Sequence, residues 1–154
     1  MTARTERRAS TRPEREARHR AREAAVQMLY QWEIGRQSVQ EVEQTFWTLD
    51  PSGPQMAGPL QAFANSLAHG VAAEVSTLDP MIGEAAEHWR VERMNVLDRI
   101  VLRLAVYEFL HQPETPAKVV INEALELART FSTDDAVRFI NGILDAIRRR
   151  LQRD

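Results

Sequence analysis

The chain has 154 residues, 44% hydrophobic and 27% charged, which suits one domain with a core of its own. It has no cysteine, so disulfides and thiolate zinc sites are excluded; no apolar run nears the roughly 18 residues of a membrane span, and no signal-peptide pattern follows the start, so a cytoplasmic protein is expected. The net charge of −2 hides a split: residues 1–22 hold eight arginines against three glutamates, whereas 23–154 hold 12 basic and 19 acidic residues, pointing to a basic arm that meets a polyanion and a body that does not.

Residues 1–13 are polar, lack apolar periodicity and read as a disordered basic tail, leaving 14–154 as a single helical domain. From about Pro13 the apolar residues Ala17, Ala21, Ala24, Ala25, Met28, Leu29 and Trp32 recur at helical steps until Gly35. Ser38, with Glu41 three residues on, predicts a capped second helix carrying Val39, Val42, Phe46 and Leu49. The stretch 50–54 is rich in Pro, Ser and Gly and predicts a loop. A third helix is expected from near Pro59 with Leu60, Phe63, Leu67, Val71 and Val75; Gly70 within it suggests a close helix crossing. A break at Thr77 to Pro80 then introduces a shorter helix with Met81, Ile82, Ala85 and Trp89.

Leu97 to Leu110 is apolar on most faces, interrupted by Asp98, Arg99, Arg103 and Glu108, and belongs at the centre of a bundle. After a turn with Pro113 and Pro116, a helix presents Val120, Ile121, Ala124, Leu125, Ala128 and Phe131 on one face. Residues 132–135 offer N-caps for a last helix with Val137, Ile140, Ile143, Leu144, Ile147 and Leu151. The prediction is all-α, about seven helices and no strand.

The sharpest local feature is the run from Arg18 to Glu23. Arg18 and Arg22 are four apart and share a helix face, and Arg20 sits well round from them. Clustered arginines neutralise phosphates, and their flat forks suit bidentate contact; a charge run is otherwise a solvated arm. Tyr30 falls off the apolar stripe, and Phe139 sits at the margin of the last one. Exposed aromatics near arginines are surfaces on which single-stranded RNA stacks, although the local sequence favours a core-edge place for either ring. His19, His69, His88 and His111 are scattered without metal-ligand spacing, and no nucleophile elbow or phosphate loop stands out. Asp134 and Asp135 are explained by a helix N-terminus, and Glu123 and Glu126 by solvation. No catalytic residue, metal site or cofactor is expected.

Four blocks, 17–23 with 29–32, 97–108, 116–124 and 139–145, resemble the NusB family of bacterial transcription antitermination proteins in order and spacing. The resemblance implies an all-helical fold of two packed subdomains. It also implies binding to boxA-type single-stranded RNA of ribosomal RNA leaders with the ribosomal protein NusE, within the RNA polymerase antitermination complex, and allows a homodimer. By position it implies Arg18, His19, Arg20, Arg22, Tyr30, Lys118 and Phe139 as RNA contacts, and Asp98 and Asp135 at partner and RNA contacts, either acting by orienting basic neighbours. Trp32, Trp89 and most of 97–110 are expected to be structural. The chain departs from the family pattern in a longer tail before residue 17, in His19 at a slot that is often basic, and in Val137 at one that is often polar. Two other readings are a fragment of a ribosomal RNA cytosine methyltransferase, whose N-terminal domain shares the fold but which needs a further domain and a catalytic cysteine, and a structural helical dimer.

Overall fold

The computed structural model describes residues 10–49, 56–87 and 89–154. The expected loop at 50–54 and most of the expected tail lie outside them. Among the described residues there are six α-helices and no strand: α1 (Arg12–Gly35), α2 (Val39–Leu49), α3 (Gly58–Ala85), α4 (Val96–His111), α5 (Ala117–Phe131) and α6 (Asp134–Arg150), with one turn of 3-10 helix at Val91–Arg93.

Local chemistry sets most of the boundaries. α1 begins one residue before Pro13, because Thr11 forms a complete capping box with Glu14. It ends after Gly35, with Arg36 in the left-handed conformation. The Glu41 N–H donates to the Ser38 hydroxyl at 3.2 Å, Leu97 N–H to the Asn95 side chain at 2.9 Å, and Ala136 N–H to the Thr133 hydroxyl at 3.2 Å.

The break expected at Thr77 to Pro80 is absent. α3 continues through Pro80, and its irregularity lies earlier, at Glu74 (φ −115, ψ 15). Pro80 removes the donor for the Ser76 carbonyl, but both residues are exposed, so that carbonyl is open to solvent and the helix runs on through the proline. This merging accounts for six helices where seven were expected.

Helices α1–α3 pack on one another, as do α4–α6, and the two groups share one continuous core. α4 lies at its centre, against α1, α3, α5 and α6, with residues 99–106 all buried. The close crossing expected at Gly70 is there: a Cβ on Gly70 would lie 2.2 Å from both Cζ and Oη of Tyr107 on α4. His111 stacks on Tyr107 at 4.5 Å and pairs with Glu74 at 2.6 Å. Burial, with Glu74 adding to it, pushes the Tyr107 phenol above its ordinary range.

Candidate nucleic-acid interface

The arginine cluster of α1 divides in space. Arg18 and Arg20 are exposed, with no ion pair among the described residues. Arg22, two residues on, is 3% exposed. Its Nε donates to both carboxylate oxygens of Glu108 on α4 at 3.1 and 3.0 Å, and Nη2 donates to one of them at 2.8 Å. The guanidinium also stands 5.5 Å over the Phe63 ring of α3. Arg22, expected among the RNA contacts, is instead buried, with its guanidinium held by the interior carboxylate of Glu108.

His19 is half-buried between two carboxylates. Its Nδ1 is 2.6 Å from Glu123 on α5 and its Nε2 is 2.9 Å from Glu23. Glu123, expected to be merely solvated, also lies 3.7 Å from Arg22. This pair of contacts pins the N-terminal turns of α1 to α4 and α5. The charges of α4 point inward in the same way: Arg99 meets Glu33 at 2.6 Å, and Arg103 meets Asp79 through two bonds of 2.7 Å. Burial is the largest single influence on Arg103 and opposes its charge, but hydrogen bonds and charge attraction from Asp79 and Glu33 together outweigh it and raise its pKa.

Tyr30 is 42% exposed, as its position off the apolar stripe required. Arg20, Gln27 and Tyr30 are exposed and form one strip of α1, spanning about 80° of arc and roughly 15 Å of axis. Tyr30 opens onto a recess of ≈ 540 Å³, lined also by Phe46, Leu97 and Phe131. Beside Leu97, the half-buried Asp98 accepts from the Ser132 hydroxyl at 2.5 Å, tying the α5–α6 turn to the start of α4. Asp135 is exposed in the first turn of α6. Lys118 is exposed on another face of α5, beside Ile121, Asn122, Arg148 and Asp154, whereas Arg20 lies with Glu123 and Glu126 in the α1–α5 groove. The structure thus links Arg20 with Tyr30 but sets Lys118 apart.

Phe139 is half-buried and packs edge-to-face with Trp89, centroids 6.0 Å apart and planes at 73°. Trp89 was expected to be structural, yet it is the most exposed large hydrophobic among the described residues, at 60%.

The described residues form an all-helical body whose first helix is partly anchored and presents exposed Arg18, Arg20 and Tyr30. The family model described as NusB family matches residues 19–149. The chain is 45% identical to transcription antitermination protein NusB of Koribacter versatilis over 134 residues, 87% of this chain and 90% of that protein. Among solved structures, NusB of T. maritima superposes with a TM-score of 0.77 at 33% identity, covering 86% of this chain and 90% of that one. A second, of antitermination factors NusB and NusE in complex with dsRNA, gives a TM-score of 0.76 at 21% identity, covering 88% and 98%. The chain belongs to the NusB family.

Proposed function

We propose that this chain is a non-catalytic transcription antitermination factor that acts in the cytoplasm, binding boxA-type RNA of ribosomal RNA leaders together with the ribosomal protein NusE. The observation that carries the reading is the exposed strip of α1, in which a cation without a carboxylate partner, Arg20, leads to the open ring of Tyr30. Arg20 and Arg18 supply sequence-independent attraction to phosphates, and Tyr30 supplies a face for a base. Asp98 and Asp135, in the first turns of α4 and α6, are the residues that would meet the protein partner. Phe139 lies one turn beyond Asp135, and Lys118 contributes only to the outlying field. Arg22 and His19 act indirectly, by holding α1 in place.

The T. maritima relative and the NusB–NusE complex with double-stranded RNA share this fold, which supports an adaptor that meets RNA and protein at once. The test is fluorescence anisotropy with boxA RNA, a scrambled RNA and a duplex, each with and without NusE. Tighter binding of boxA when NusE is present is the expected result. Equal binding of boxA and scrambled RNA in its presence refutes the reading.

A further inference from the structure

The chain leaves α3 through Glu87 in the left-handed conformation (φ 56), and the Trp89 N–H donates back to the Ala86 carbonyl at 3.3 Å. This turn carries the indole outward, against the edge of Phe139. A tryptophan can bury 150–250 Å² (about, for the whole side chain), so leaving one mostly in water forgoes one of the largest apolar contributions the chain has available. Single exposed apolar residues are ordinary, but here two rings meet at a corner, and the more open ring is Trp89.

The charges around the corner are of both signs. Arg90 follows Trp89 and Arg138 precedes Phe139; both are exposed, as is Arg93, and none has an ion pair among the described residues. Beneath the indole lies a recess of ≈ 680 Å³ lined by Glu87, Glu92 and Arg90, with the paired Arg99 and Arg103 and their partners Glu33 and Asp79 further in. Carboxylates repel phosphate but accept hydrogen bonds from base amino groups. The carboxylates of such a recess suit a base edge better than a phosphate, and Arg90 is the cation in its lining that has no ion pair among the described residues.

We infer that Trp89 is a base-stacking contact for single-stranded RNA, with Phe139 as the wall that fixes the indole rather than the principal stacking face. The inference rests on the RNA-binding reading of the chain and extends its surface from α1 to the turn between α3 and α4. The two centroids are 6.0 Å apart, so a base seated at this corner is within reach of both rings. Phe139 is a positioning residue in this account, and Trp89 the residue touched.

The test uses the full chain with boxA RNA, alone and with NusE. Trp89→Ala is expected to weaken RNA binding about tenfold while leaving the salt dependence unchanged, since stacking releases no counterions. Trp89→Phe should retain most of the affinity, and Phe139→Leu should cost less than Trp89→Ala. RNA should quench the intrinsic fluorescence of the wild type, and the quenching should vanish in Trp89→Phe, because Trp32 and Trp47 are partly buried and Trp47 Nε1–H is bonded to Asn65 at 2.8 Å. Because Trp89 is exposed, circular dichroism should show these variants folded. Wild-type affinity in Trp89→Ala, alongside a weakened Arg20→Ala, overturns the inference and leaves the RNA reading standing. Loss of NusE binding with RNA affinity intact overturns it in favour of a protein contact. Failure of the wild type to bind RNA removes both.

Discussion

Replacing Arg22 with alanine separates the two roles of the arginine cluster. In the wild type the Glu108 carboxylate is 2% exposed, and no other cation among the described residues pairs with it. The variant leaves that charge buried and unmatched. Removing one partner of a buried pair costs about 3–5 kcal/mol, and loss of the cation over Phe63 adds up to about 1 kcal/mol. For a chain of this length that lowers the melting temperature by roughly 10 °C or more. Circular dichroism melts and calorimetry read this directly. The double variant Arg22→Met with Glu108→Leu removes both charges and should recover most of the loss, since apolar groups of similar volume replace a buried pair at little cost. Its RNA affinity and salt slope should match the wild type, whereas Arg20→Ala should lower the slope by about one phosphate contact. An Arg22→Ala chain melting at the wild-type temperature, or a folded double variant whose salt slope falls as it does in Arg20→Ala, would refute the assignment of Arg22 to the interior.

Gly70→Ala sets helix propensity against packing. Alanine favours the helix by about 1 kcal/mol, but its Cβ would lie 2.2 Å from the Tyr107 ring, and displacing that half-buried ring costs about 1–3 kcal/mol. A net loss of about 1 kcal/mol is expected in urea denaturation, partly recovered by adding Tyr107→Leu; a gain in stability would show that the ring moves freely. Asp145 bonds Arg148, which with Arg149 holds its carboxyl below the usual range despite an opposing desolvation. Its contribution is therefore present above the unfolded-state carboxylate pKa and is lost as pH falls through the lower folded value. Asp145→Asn should melt slightly below the wild type at neutral pH, and the gap should close at acid pH; a gap that widens there contradicts the assignment.

The elements that were legible in the sequence are those whose determinants lie within one helical turn. Thr11 with Glu14, Ser38 with Glu41 and Thr133 with Ala136 are partners three residues apart, so the starts of α1, α2 and α6 can be read locally. Gly70 was legible for a different reason: a glycine inside a helix stands against propensity, so something must approach it closely. Pro80 misled because the cost of a proline depends on whether the orphaned carbonyl sees water, and that is known only once the body is built.

The site was less legible than the fold, because ion-pair partners are distant in sequence. Arg22 and Glu108 are 86 residues apart, Arg99 and Glu33 are 66 apart, and His19 and Glu123 are 104 apart. A helical wheel places Arg18 and Arg22 on one face, and that is the direction in which both point. It does not say where the body ends. Arg22 meets α4 and α3, while Arg18, one turn earlier, remains exposed. The segment from Arg18 to Arg22 is therefore one cluster in sequence and two devices in space. Arg22 and His19 fasten α1 to α4 and α5, and Arg18 and Arg20 are presented on the helix so fastened. A cation on a fixed helix loses less freedom when it meets a phosphate than one on a solvated arm. The buried half of the cluster thus fixes the helix on which the exposed half is presented.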